Sequence, residues 1–351
     1  MIKIISLLTL LHTRGLGRAK IWKLIECYGS AEEVLKVGLD AQKKVLFNKW
    51  EVQNWEEDLE RAEKEKIHLI TYQDSRYPKN LLQIPDFPLL LYVKGELISG
   101  DNKSLALIGT RNATLYGKQM AEKIAKELVG AGIEVVSGLA RGIDTAAHQG
   151  ALEGKGRTLA VIGSGLSKLY PQENRYLADK IASSGAVISE FPMEMAPSKG
   201  LFPQRNRIVS GMSQGVCLIE SPIKGGAMLT MGMGEMQKKP LFAIPGRLDW
   251  PTFEGNHALL KQKRAHFFER GADLLDYFQF PQTQEIKIYP VLTQEEQAFF
   301  SKLPAEEKSI EELVLLTQLP IMQLNVFLTR LVLKKVVKEF PGKTYKKLID
   351  G

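Results

Sequence analysis

The sequence predicts an α/β protein built on a doubly wound, mostly parallel sheet, flanked by a helical domain before it and a smaller helix-rich domain after it. Six short apolar runs recur at 104–108, 133–137, 158–162, 186–189, 215–219 and 241–244. Helical stretches of about ten to eighteen residues separate most of them, the pattern of strands joined by crossover helices. One such stretch, 117–129, places Met120, Ala121, Ile124, Ala125 and Leu128 on one helical face. The length, 351 residues, exceeds what a single compact core accommodates and favours two or three domains.

Residues 1–70 read as helices, with Ile5, Leu8 and Leu11 and then Ile21, Leu24 and Ile25 at helical spacing. The opening MIKIISLLTLL looks like the apolar part of a signal peptide. His12, Arg14, Arg18 and Lys20 follow it without a small-residue cleavage site, so an amphipathic first helix is expected. Gly15 and Gly17 then permit a tight turn. With Lys20 they suit either a helix-hairpin-helix grip on a DNA backbone through amide groups or a plain turn between packed helices.

The second domain is expected over 71–282. It opens with an extended connector containing Pro78, Pro85 and Pro88, followed by a short strand at 89–93. A polar linker over 280–290 ends at Pro290. Over 290–351, helices are expected at 293–302, 309–317 and 321–334, then strands at 336–340 and 344–348. Three helices and a hairpin, with Gln318-Leu319-Pro320 between the second and third helices, resemble a winged helix.

Composition constrains function weakly. A formal charge of +7 suits a polyanion partner without establishing one. Cys27 and Cys217 are far apart, so neither a disulfide framework nor a zinc cluster is expected, and both read as small core residues. No metal or cofactor is expected. No apolar run approaches the roughly eighteen residues needed to span a bilayer, so the expected protein is soluble, cytoplasmic and without a membrane partner.

In an open α/β sheet, ligands bind beyond the carboxyl ends of the strands. The segments there are rich in glycine, hydroxyl groups and arginine: Gly109-Thr110-Arg111, then Ser137-Gly138-Leu139-Ala140-Arg141-Gly142-Ile143-Asp144, and later Lys199-Gly200-Leu201-Phe202-Pro203-Gln204-Arg205-Asn206-Arg207. Tyr170-Pro171, Lys224-Gly225-Gly226 and Pro245-Gly246-Arg247 follow other strands. Backbone amides and arginines hold phosphates, and a ring such as Phe202 between cations stacks on a base. Each element has a plainer reading. Phe202 by itself suits a core, and at least one of Arg205 and Arg207 is expected to make ion pairs inside the domain. Asp144 and His148 suit a catalytic pair, but a helix cap and a locally packed histidine are the expectation.

Taken together, GTRNA, SGLARGIDTAAH, YPQEN, SEFP, FPQRNR and IPGR, in this order, resemble the DNA-processing protein A (DprA/Smf) family over about residues 75–280. The resemblance implies an extended Rossmann-like domain that binds single-stranded DNA, hands it to the RecA recombinase during natural transformation, forms homodimers and has no established enzymatic activity. It implies that Thr110 and Arg111 meet a phosphate, as does Lys199. It places Phe202 under a base, and Arg205, Asn206 and Arg207 around the strand. Lys224 and Gly225 would line the same pocket. The family's usual SGSLIT turn is replaced here by Gly225-Gly226-Ala227-Met228-Leu229-Thr230, which removes one hydroxyl.

Two alternatives compete. A phosphoribohydrolase-like nucleotide hydrolase needs a PGGxGT turn and a glutamate, but Glu235 stands at a different spacing. A double-strand DNA regulator would read through Asn325, Thr329 and Arg330, with Lys334 and Lys335. That helix is dominated by Leu324, Val326, Phe327, Leu328, Leu331 and Leu333, which favours an accessory role.

Overall fold

The structure, a computed structural model, describes residues 2–13, 15–39, 55–98, 103–280, 292–304, 306–334 and 336–348. Arg14, Lys335 and the expected linker beyond Phe280, with Pro290, lie outside the described residues. Two compact units are present, 1–283 and 284–351.

The first unit begins with helices α1 (Ile2–Leu11), α2 (Arg18–Tyr28), α3 (Ala31–Leu39) and α4 (Glu56–Lys64). Strand β1 (His68–Thr71), helix α5 (Lys79–Leu82) and strand β2 (Leu90–Gly95) follow. The chain then alternates through β3 (Ser104–Gly109), α6 (Leu115–Gly130), β4 (Glu134–Ser137), α7 (Ile143–Glu153), β5 (Thr158–Val161), α8 (Arg175–Ser184) and β6 (Ala186–Ser189). It continues through α9 (Leu201–Met212), β7 (Gly215–Glu220), α10 (Gly226–Met236), β8 (Leu241–Ala243), α11 (Glu254–Lys261), β9 (His266–Phe267) and α12 (Gly271–Tyr277).

The nine strands form one sheet in the order β1-β2-β6-β5-β4-β3-β7-β8-β9. From β6 to β9 every neighbouring pair is parallel. Successive crossovers place β4, β5 and β6 on one side of β3, and the chain then returns to lay β7 on the other side. That reversal opens a crevice beyond the ends of β3 and β7.

Three strands depart from the expected pattern: β1, β2 and the two-residue β9, which follows none of the expected apolar runs. β1 lies inside the stretch read as helical and across the expected boundary at 70/71. Four residues are too few for their periodicity to separate them from the preceding helix. Both β1 and β2 are antiparallel additions at one edge, with β1 on β2 and β2 on β6.

The apolar faces account for the layers. Leu81, Ile208, Met212, Met231 and Leu259 cover one face of the sheet, and Ile124, Leu128, Ala147 and Leu274 cover the other. Leu8, Ile21, Ile25 and Ile181 share a third cluster with Leu90, Tyr92 and Val187. The N-terminal helices therefore pack on the sheet as part of the first unit rather than as a body of their own. Cys217 is buried, but Cys27 is exposed, contrary to the core reading. It sits two residues beyond buried Ile25, on the outward side of α2.

The second unit contains α13 (Gln294–Lys302), β10 (Lys308–Ser309), α14 (Ile310–Thr317), α15 (Ile321–Leu333), β11 (Val337–Phe340) and β12 (Thr344–Lys347). Its sheet has the order β10-β12-β11, the two-residue β10 being an addition to the expected hairpin. Leu313, Leu324, Leu328 and Leu331 fill its core. Among the described residues no single helix is long and apolar enough to cross a membrane.

Reciprocal caps start α13 and α14. Thr293 Oγ1 accepts from the Glu296 amide at 3.2 Å, and Ser309 Oγ accepts from the Glu312 amide at 3.3 Å. Each glutamate in turn accepts from its capping residue's amide at 2.8 Å. Ser309→Ala should cost about 1 kcal/mol of local stability. Hydrogen–deuterium exchange of the full chain should then show α14 amides exchanging about fivefold faster, with the nine-stranded sheet unchanged. Equal exchange in both proteins would remove the cap from the account.

Candidate functional site

The Gly109-Thr110-Arg111 turn leaves β3 at the crevice and is held from two sides. The Thr110 amide donates to the Glu220 carbonyl at 2.7 Å, and the Ile143 amide donates to the Thr110 carbonyl at 3.2 Å. Gly142 lies beneath the turn at φ +76°, where a Cβ would collide with the Thr110 and Arg111 carbonyls. Both the backbone conformation and the close approach require glycine there.

Buried Glu220 continues the support. Its carboxylate accepts from the Thr114 amide at 3.0 Å and from the Thr114 hydroxyl at 2.9 Å. Thr114 Oγ1 in turn caps α6 by accepting from the Gly117 amide at 3.0 Å. A side chain at Gly117 would run into this carboxylate. Sequence reasoning missed Glu220. An acidic residue closing an apolar strand is the signal that marks it.

The facing wall is α9. Its first turn carries half-buried Phe202, whose ring lies against Gly163. The Arg111 guanidinium sits over this ring, 5.0 Å from its centroid. Thr110, Arg111, Lys199, Phe202 and Asn206 line one crevice of about 420 Å³, joined by Gly226 and Thr230 from the start of α10.

The other predicted contacts are placed differently. Lys224 is exposed but outside the crevice lining, and Gly225 packs on Ser221, so α10 meets the crevice one residue later than expected. Arg205 also lines the crevice but is held by main-chain carbonyls, and Arg207 points into the protein. Arg205 is 5% exposed and donates from Nη1 to the Val161 carbonyl at 2.6 Å and to the Gly138 carbonyl. Burial weakens its hold on a proton while the Asp144 charge beside it strengthens that hold. Arg207 donates to both oxygens of buried Glu190, at 2.6 and 2.5 Å, and to the Asp86 carbonyl. Glu190 also takes Arg18 of α2. Successive residues of α9 are about 100° apart around the helix, so Arg205 and Arg207 leave it in different directions, toward the ends of β4 and β5 and toward Glu190, while half-buried Asn206 lines the crevice. The exposed turn residues Gly15, at φ +83°, and Gly17 stand just before Arg18, which donates to Gln204 of α9 at 2.9 Å.

Asp144 is the second residue of α7, not its cap; Gly142 occupies that place. Its carboxyl accepts from the Ala140 amide at 3.4 Å, and burial raises its pKa. His148 Nδ1 lies 2.7 Å from Thr158 Oγ1, which itself donates to the Val135 carbonyl at 2.7 Å. Nδ1 therefore carries the proton. Burial, with the Arg205 charge adding, pushes the His148 pKa down to about 3. A buried neutral histidine of this kind is a packing element, not a base at the crevice.

A sequence model described as DNA recombination-mediator protein A matches residues 68–279. The chain belongs to this family. Protein Smf of Escherichia coli (strain K12) is 33% identical over 271 residues, 77% of this chain and 72% of its own. DNA processing protein DprA of Bacillus subtilis (strain 168) is 36% identical over 248 residues, 69% and 84% of the two chains. The X-ray structure of DNA processing protein A from Streptococcus pneumoniae is similar at 32% identity and a TM-score of 0.66, covering 78% of this chain and 96% of that one. The protein of the same name from Helicobacter pylori, described for its single-stranded DNA binding mode, is similar at 29% identity and a TM-score of 0.54, covering 61% and 97%.

Two predictions separate the buried groups from the crevice. Arg207→Ala should lose about 3 kcal/mol in urea unfolding by leaving Glu190 under-compensated, whereas Arg111→Ala should stay within about 0.5 kcal/mol. Equal losses would contradict the difference in burial. A group whose folded pKa lies below its unfolded value contributes stability present above about pH 6.5 and lost as pH falls toward 3. The stability of the protein relative to its His148→Gln variant should therefore fall between pH 6 and pH 4, approaching about 1.4 kcal/mol per pH unit. A difference independent of pH would mean that His148 titrates normally.

Proposed function

We propose that the crevice binds single-stranded DNA with little sequence preference, and that the chain catalyses no reaction but delivers the strand to the RecA recombinase as a homodimer. One observation carries the reading of the site. Among the described residues, Arg111 and Lys199 flank Phe202 and make no ion pair, while Arg205 and Arg207 are neutralised or enclosed. Available cations around a ring suit phosphates and a stacked base. The Helicobacter pylori relative's described binding mode supports the same ligand. Delivery to the recombinase and homodimerisation rest on family membership.

The Arg18–Gln204 bond brings the turn at Gly15 and Gly17 beside α9, which supports that turn and Lys20 as a backbone contact. Asp144 is the one carboxylate among the described crevice residues, and it is held beside Arg205. Glu235, the residue a hydrolase would need, pairs with Arg264 at 2.6 Å near the far end of α10. Both facts favour binding over hydrolysis. The C-terminal unit serves as a winged helix in an accessory role. Its α15 exposes Met322, Val326 and Leu333 where a helix that reads duplex DNA presents polar and basic groups.

Fluorescence anisotropy with labelled oligo-dT and equal-length duplex should show a preference for the single strand that weakens with salt. Arg111→Ala and Lys199→Ala should each weaken binding about tenfold and flatten the salt dependence by about 0.7 per lost phosphate contact. Wild-type affinity in both variants would move the site away from the crevice.

A further inference from the structure

Phe202 has an aromatic neighbour that the phosphate-and-ring reading leaves unused. The Tyr170 ring is 37% exposed, and its centroid stands 6.0 Å from that of Phe202 with the two planes tilted by 54°. At that separation and tilt the two rings form consecutive steps, not the parallel walls of a slot for one base. A shallow cleft lined by Arg111, Arg141, Tyr170 and Phe202 runs between them. It encloses only about 10 Å³, so a base lies across the rings rather than inside.

The loop carrying Tyr170 is firmly placed. Four residues on, buried Asn174 donates to the Leu139 carbonyl and to Thr145 Oγ1, both at 2.9 Å. This fixes the Tyr170–Asn174 segment against the loop that carries Arg141. Arg141 and Glu173 project from the two loops and pair with each other at the surface, 57% and 50% exposed. An exposed pair of this kind contributes little net stability, so a phosphate can replace the carboxylate at small cost.

We propose that Tyr170 is a second base-stacking platform beside Phe202, with Arg141 holding the phosphate between the two bases and Glu173 competing with that phosphate for the guanidinium. This rests on the single-strand reading of the crevice and lengthens the bound strand toward β5. Glu173 then sets the affinity of the outer step: the strand gains Arg141 only by displacing a carboxylate.

The test is anisotropy with labelled oligo-dT at fixed salt for Tyr170→Ala, Tyr170→Phe, Arg141→Ala and Glu173→Gln, with Arg111→Ala as the benchmark and thermal melting as a check on folding. Tyr170→Ala should weaken binding about tenfold, and Tyr170→Phe should stay within about twofold, because stacking needs the ring and not the hydroxyl. Arg141→Ala should weaken binding and flatten the salt dependence by about 0.7. Glu173→Gln should tighten binding about threefold, an effect that a merely structural residue would not produce. If Arg111→Ala weakens binding while the Tyr170 and Glu173 variants bind like wild type, the second platform is wrong and the crevice reading stands. Tyr170→Phe as weak as Tyr170→Ala at unchanged melting temperature also overturns stacking. If the wild-type protein binds no oligo-dT, both fall together.

Discussion

The inward anchoring of α9 by two buried arginines is the constraint on which the crevice depends. Arg205 reaches carbonyls at the ends of β4 and β5, and Arg207 closes on Glu190 at the end of β6. A buried guanidinium without partners would be very costly, so each arginine holds the helix in one register against the sheet. Phe202 and Asn206, one helical turn apart, are thereby fixed at the crevice wall. The same Glu190 takes Arg18, so the N-terminal helices share the anchor.

The opposite wall is rigid for a different reason. The Arg111 turn is gripped through its backbone by β7 and α7, and it fits only because Gly142 has no side chain. Glu220, at the end of β7, holds Thr114, which caps α6. Neither wall uses an ion pair of Arg111 or Lys199 for its own support. Arg111 and Lys199 are thus left available to a ligand, and preorganisation of this kind lowers the ordering cost of binding.

Much of the architecture was legible in the chain. The strand starts at Ser104, Thr158 and Gly215 and the helix starts after Thr293 and Ser309 coincide with apolar runs and capping residues that can be read locally. β1 and β10 were not legible, because strands of four and two residues carry too little periodicity. The edge position and antiparallel direction of β2 were hidden as well, since its partner β6 comes about ninety residues later.

The site divides in the same way. The sequence by itself determined the fold class, the family and the clustering of arginine, lysine, glycine and aromatic residues on one rim, because strand-end positions follow from the alternation of elements. Only the tertiary structure decided which cations remain available. Arg111 and Arg207 look alike in sequence. One lies over a ring at an open crevice, and the other meets a carboxylate seventeen residues away and a carbonyl more than a hundred residues away. Whether a charge is offered to a ligand or neutralised inside the fold depends on partners that sequence spacing does not reveal, since burial and pairing are properties of the packed chain.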